Sequence, residues 1–333
     1  MKINIWTILF LVLVALGLGL WWRSYSEKKT KEASIWDRDF AVKNVDEIDK
    51  IILTKRGSES IVLQRKEKNW ELNSKFDVHP NVISNLLDAI RNVSMVAIPP
   101  KPSYDLIIRD FGSFGLKTQI FGKNDEILKT YYIGGVTNDE SGVYFMMEGS
   151  KQPYVVSLNK GVSNIRARYD IAAIDWREKT LFKVVPENIQ SVQVDFPFDH
   201  QESFKITSRS EKFDLTDLNG NLQKIKDPTT IVRYVNSFSN IGFEAFENTN
   251  PERSLISTMT PFMKIKLTTK TMKEIVCDFY PINESTDKLD LSREFLNKGD
   301  FFRMFVNRND GDFMLLQYSQ LGDASFSLSD FTK

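Results

Sequence analysis

The chain writes its body twice, and that constrains its fold more than any other feature. One apolar run starts at His79-Pro80 and carries Ile83, Leu86, Leu87, Ile90 and Val93; a second starts at Asp227-Pro228 and carries Ile231, Tyr234, Val235, Phe238 and Ile241. Counted from each proline, the apolar positions fall at the same offsets, 3, 6, 7, 10 and 13. That spacing is one face of a helix. Proline suits the first helical position, where its missing N–H would lack a partner anyway. Asp227 fits an N-cap and Gly242 a helix stop.

The surroundings of each helix repeat too. Trp36-Asp37-Arg38-Asp39-Phe40 opens the first copy and Trp176 to Phe182 the second. Strand-like runs follow, Ile48–Leu53, Ile61–Leu63 and Trp70–Leu72 against Ile189–Val194, Phe204–Ile206 and Phe213–Leu215. The step from Ile61 to Trp70 equals that from Phe204 to Phe213. After each helix come Leu116–Phe121, Ile127–Ile133, Val143–Met147 and Tyr154–Leu158, answered by Phe262–Leu267, Glu274–Tyr280, Phe301–Val306 and Phe313–Gln317. Asp310-Gly311 is a strong turn dipeptide between the last two. Runs of strands with one packed helix predict an α+β unit of mainly antiparallel sheet, present in two tandem copies.

Ahead of the repeats, Ile3 to Trp22 is almost wholly apolar and uncharged. Some 20 residues of helix at 1.5 Å each reach ~30 Å, a bilayer core, and Trp6, Trp21 and Trp22 stand at its ends. The reading is an uncleaved transmembrane anchor over 1–23 that contacts lipid through 3–22, then a spacer over 24–35. The first repeat is read over 36–160, a connecting segment over 161–177 that is helical near Val162–Tyr169, the second repeat over 178–325 and a tail over 326–333. Lys2 precedes the span and Arg23, Lys28, Lys29 and Lys31 follow it. Counted alone, those charges place the body in the cytoplasm.

The residues that carry chemistry are sparse. Formal net charge is zero, with bases and acids interspersed, which argues against a nucleic-acid partner. The lone cysteine, Cys277, sits in a strand-like run and reads as a buried small hydrophobe. The two histidines, His79 and His200, have no second His or Cys at ligand spacing. There is no nucleophile elbow and no phosphate-binding P-loop. Gly134 to Gly142 reads as a flexible loop between strands, and Ala97 to Tyr104 as an extended, proline-rich connector. Asp139-Glu140, and Asp310 with Asp312, are the most concentrated acids. Asn307 to Asp312 resembles a calcium loop only faintly, since the closing Glu is missing. No catalytic, cofactor-binding or metal residue is assigned, and no cofactor is expected.

The order of elements is similar to a known family. The apolar N-terminal span, the Trp-x-Leu strand and the proline-started helix come first. Tyr131-Tyr132-Ile133-Gly134-Gly135 before Gly142-Val143-Tyr144 comes next, then Trp176-Arg177-Glu178-Lys179-Thr180-Leu181-Phe182. In these the chain, from about 40 to 320, resembles the bacterial domain-of-unknown-function 4340 (DUF4340) family. Residues 245–260 and 283–298 depart from its commonest pattern. The resemblance implies a single membrane anchor, a body outside the cytoplasm at a bacterial inner membrane, and association with ABC-type transport components of the gliding-motility type.

The expected function is that of a non-catalytic, membrane-anchored accessory or scaffold protein whose partners are other envelope or transporter proteins. The alternatives are an anchored envelope hydrolase using acidic residues, or a ligand- or lipid-binding carrier.

Overall fold

The computed structural model describes Leu18 and residues 35–333 apart from 68, 159–163, 210, 211, 284, 287 and 300. The chain divides into two units, the first ending at Glu178 and the second running Lys179–Lys333.

In the first unit the strands are β1 (Lys50–Lys55), β2 (Ile61–Arg65), β3 (Trp70–Leu72), β4 (Phe76–Asp77), β5 (Val93–Ala97), β6 (Leu116–Phe121), β7 (Ile127–Val136), β8 (Val143–Met147) and β9 (Tyr154–Leu158). They form one antiparallel sheet in the order β4-β3-β2-β1-β6-β7-β8-β9-β5. Helix α1 (Pro80–Asn92) buries Ile83, Leu86, Ala89 and Ile90 in the core. Its N-cap is His79, whose Nδ1 accepts from the Asn81 N–H at 3.2 Å.

A second helix, α2 (Tyr104–Phe114), follows directly on the proline-rich stretch. Ala97–Tyr104 is therefore no extended linker: it closes β5, makes a short 3-10 turn and opens α2. Pro102 stands in the first turn of that 3-10 segment, where no backbone donor is needed. Gly134 and Gly135 lie inside β7 rather than in a loop, and the loop proper is 137–142. Gly142 is required there, because a Cβ would fall 2.4 Å from the Val156 carbonyl oxygen.

The second unit repeats this frame. Its strands are β10 (Thr180–Phe182), β11 (Ile189–Asp195), β12 (Phe204–Arg209), β13 (Lys212–Thr216), β14 (Ile241–Gly242), β15 (Ala245–Phe246), β16 (Met263–Thr269), β17 (Glu274–Asn283), β18 (Lys288–Leu289), β19 (Arg303–Arg308) and β20 (Phe313–Gln317). The large sheet runs β13-β12-β11-β16-β17-β19-β20-β15, with β18 folded back onto β17 and β10 paired apart with β14. Helix α3 (Pro228–Ser237) lies where α1 lies in the chain order, capped by the Asp227 carboxylate, which accepts from the Thr229 N–H at 2.9 Å. Gly242, read as a helix stop, pairs with Thr180 in the small sheet instead. The short helices α4 (Arg253–Ile256), α5 (Arg293–Lys298) and α6 (Ser329–Thr332) complete the unit.

The correspondence holds to the residue. Leu53 faces Ile61 on one side and Thr118 on the other; Val194 faces Phe204 and Ile265. Thr118 in turn faces Tyr131, as Ile265 faces Cys277. Since a shift of one residue would turn every side chain to the other face, the shared register means both units bury the same sheet face.

The tryptophans do not correspond as the sequence suggested. Trp36 is 47% exposed, whereas Trp176 is fully buried in the first core. The counterpart of Trp176 is Phe331. The Trp176 carbonyl accepts from the His79 N–H just ahead of α1, and the Phe331 carbonyl from the Lys226 N–H just ahead of α3. Ile165, Tyr169 and Trp176, in the stretch read as a connector, thus pack into the first core, and Phe331, in the stretch read as a tail, into the second.

The fold class needs one correction. The α+β description fits both units, but among the described residues no helix is long and apolar enough to cross a membrane. The span expected over residues 3–22 lies, Leu18 apart, outside the described residues.

Candidate functional site

A cleft of about 450 Å³ opens in the first unit between the end of β1 and the segment after residue 164. Leu53, Leu116 and the Tyr169 ring form its buried floor; Lys55, Ser58, Glu59 and Ala172 stand around it nearer solvent. The sheet places Lys55 by setting it opposite Leu116 at the last paired position of β1. A 3-10 turn over Ile165–Arg168 then brings Asp170 to the same place, far away in sequence.

Lys55 Nζ donates to both oxygens of Asp170, at 3.0 and 3.1 Å. Arg166 donates to Asp170 Oδ2 from Nε at 3.1 Å and from Nη2 at 2.8 Å. Its remaining N–H groups go to backbone carbonyls: Nη1 to Ile133 at 3.2 Å and Gly134 at 2.8 Å, and Nη2 to Phe114 at 2.8 Å. Arg166 is therefore saturated and immobile, a bracket between β7, α2 and the cleft. Burial pushes the Asp170 carboxyl up, but the hydrogen bonds and charges of Arg166 and Lys55 outweigh it and hold the carboxyl below its ordinary value. An acid held ionised in this way cannot serve as a proton donor near neutrality. Beneath the cleft, the Tyr131 and Tyr169 hydroxyls meet at 3.2 Å, both rings buried.

The second unit fills the matching place. Counting from Leu53 and Val194, the position of Lys55 falls on Phe196, which is buried and stands edge-on to Phe262 with centroids 5.9 Å apart. Phe262 continues to Phe301 at 4.8 Å. An aromatic row thus replaces a charged cleft, each such contact adding ~0.5–1.5 kcal/mol beyond area burial.

The residues singled out from sequence are scattered and already engaged. Asp310 and Asp312 hold the Arg308 guanidinium: Nε lies 3.0 Å from both Asp310 oxygens and Nη2 3.1 Å from Asp312 Oδ2. Arg308 Nη1 also donates to the carbonyls of Thr180 at 2.9 Å and Leu181 at 3.2 Å. The calcium-like spacing at 307–312 thus encloses a side-chain cation. Asp139 accepts from the Ser141 hydroxyl at 2.8 Å and backbone N–H at 3.2 Å. Hydrogen bonds from Thr137 and Ser141 hold its carboxyl below the ordinary value. Glu140 is exposed with φ +55°. His79 is spent on the α1 cap, and His200 is exposed, 3.5 Å from Asp195. Cys277 is buried, and burial pushes its thiol up. Among the described residues, no group of three or more His, Cys, Asp or Glu gathers as a metal site. Sequence reasoning missed Lys55, Arg166 and Asp170, because only the fold joins them.

Residues 108–256 match the family model described as Domain of unknown function (DUF4340). The DUF4340 match begins within α2 and ends at the last residue of α4. It therefore straddles both units and is narrower than the span from 40 to 320 over which the resemblance was read. The cleft residues Leu116, Arg166, Tyr169 and Asp170 fall inside it; Leu53 and Lys55 do not. Searches of curated proteins and of solved structures found no match.

Proposed function

We propose that the protein is a non-catalytic accessory or scaffold component of an ABC-type transport or gliding-motility-like assembly in a bacterial envelope. One observation carries the reading. The side chains best suited to chemistry are each committed to bonds within their own unit: Asp170 to Lys55 and Arg166, Asp310 and Asp312 to Arg308, and His79 to a helix cap. Groups committed in this way act as positioning devices rather than as acid–base pairs. The envelope setting follows what the resemblance implies; the family model itself is described only as a domain of unknown function. The apolar stretch 3–22 supports placing the protein at a membrane; the periplasmic side of the body follows the resemblance, against the flanking charge count.

The test is purification of the full chain from native membranes in mild detergent, with identification of what comes with it. Recovery of permease and ATPase subunits of one transporter in fixed proportion is the expected result. Recovery of the chain alone, at native expression and after gentle cross-linking, contradicts it. Extraction of the chain by alkaline carbonate would separately overturn the membrane placement.

A further inference from the structure

The chain enters the first unit at one end of its sheet, and that end carries apolar side chains outside the core. Strand pairing defines the end. Phe121 faces Ile127 across the β6–β7 turn, Phe145 faces Tyr154 across the β8–β9 turn, and Ala97, opposite Val155, closes β5. The entering segment is fastened there. Ser150 Oγ donates to Asp37 Oδ2 at 3.2 Å, Lys129 Nζ donates to the Asp39 carboxylate at 2.9 Å, and a Cβ at Gly149 would meet the Trp36 ring at 3.9 Å. Tyr154 stands beside both Asp37 and Tyr104, which brings the segment after β5 to the same corner.

Ile35, Trp36, Ile98 and Ile127 stand at this end, between 42% and 62% exposed. Single exposed aliphatic side chains are ordinary; an exposed tryptophan is less so. Trp70 and Trp176 are buried, which leaves Trp36 the exposed one among the described tryptophans. An indole ring favours the membrane–water interface, where its apolar body and its N–H both find partners. Charge at this end is nearly balanced. Asp39 and Asp125 are paired with Lys129 and Lys50, and Lys101, Lys123 and Lys151 are offset by Asp46, Glu47 and Glu126. Apolar tips on a neutral end suit zwitterionic headgroups better than a strongly charged partner. At the opposite end Phe114 and Val136 are also exposed, but the Arg166 guanidinium stands over the Phe114 ring at 5.8 Å.

Twelve residues separate Trp22 from Ile35, a tether that reaches at most ~40 Å. With 3–22 in the bilayer, the end that receives the tether is the end held nearest the lipid. We infer that this end of the first unit rests on a zwitterionic lipid surface, with Trp36, Ile98 and Ile127 entering the headgroup layer. The inference rests on the membrane placement given above and adds the face that meets the lipid. Apolar groups of a surface-bound protein enter that layer by ~5–10 Å, a depth within reach of side chains at the tip of a sheet.

The test reconstitutes the full chain in phosphatidylcholine vesicles with one new cysteine at a time, each carrying a nitroxide. Cys277 is buried, so the parent chain serves as the unlabelled blank. Ile98→Cys and Ile127→Cys report the proposed face. Glu59→Cys and Asn138→Cys, at exposed positions in turns of the opposite end, report the other. Oxygen concentrates in lipid and a nickel chelate in water. Labels at 98 and 127 should lose access to nickel and gain access to oxygen, whereas labels at 59 and 138 should keep full access to nickel. Equal nickel access at all four positions, in a chain that floats with the vesicles, would overturn the inference and leave the membrane placement standing. Loss of access to both reagents at 98 and 127 would mean that protein covers them, and would overturn it too. A chain that does not float with the vesicles would overturn the placement and the inference together.

Discussion

Thr118, Tyr131 and Lys55 of the first unit occupy sheet positions that Ile265, Cys277 and Phe196 hold in the second. The strand frame is the same and the register is the same. What differs is polarity. The first unit buries two tyrosine hydroxyls against each other and a threonine hydroxyl with no partner among the described residues. The second seals the same region with sulfur, isoleucine and phenylalanine. It places its buried charge elsewhere, at Arg308, whose counterpart in the first unit by strand pairing is Met147. A duplicated frame thus tolerates a polar interior in either copy, with partners supplied locally at Tyr131–Tyr169 and Arg308 and none among the described residues at Thr118. The cleft lies where the first copy leaves the end of β1 open.

The comparison can be broken most forcefully at the closing aromatics. Trp176→Ala and Phe331→Ala each empty a fully packed site and should cost about 3–5 kcal/mol, each in its own unit. Two-step urea unfolding that moves one transition per substitution would bear this out; both transitions moving together would not. Next comes Arg308→Met, which gives the second unit the residue its twin carries. It takes the guanidinium from Asp312, only 6% exposed, which keeps the Asn248 amide at 3.2 Å, and should cost about 2–3 kcal/mol, short of the ~3–5 of a buried charge left wholly alone. Adding Asp312→Ala and Asp310→Ala should recover most of the loss. Smaller still, Thr118→Val removes an unpartnered buried hydroxyl and should raise stability by about 1 kcal/mol; a loss of stability would mean that the hydroxyl is satisfied.

The weakest effect is a pH dependence. Asp170 has a folded value below its unfolded value of about 4. Its contribution is therefore present above the unfolded value and is lost as pH falls through the folded one. Asp170→Asn should be less stable than the parent at pH 7, and the gap should close below about pH 4. A gap that persists in acid would assign the effect to packing.

Most of the frame was legible from alternation and spacing. Strands β6, β8, β9 and β20 lie where their apolar runs lie, and both helices start at their prolines. Helix α2 escaped notice although Ile107, Phe111 and Phe114 are helically spaced, because the proline-rich stretch 97–104 before it read as a connector. The false pairing of Trp36 with Trp176 arose from composition. The two tryptophans open similar charged stretches, but the repeat boundary falls after the second. The cleft was not legible, because Lys55 and Asp170 are joined only by sheet pairing and a 3-10 turn. Conversely, the acids that stood out, Asp310 and Asp312, did so because they surround an arginine.

Hydrogen exchange on the full chain carrying Trp176→Ala most directly tests whether one frame has been closed twice around separate cores. Protection should fall across β1 to β9 and α1 while β11 to β20 and α3 keep theirs. Loss of protection in β11, β16 and β17 to the same degree would contradict the account.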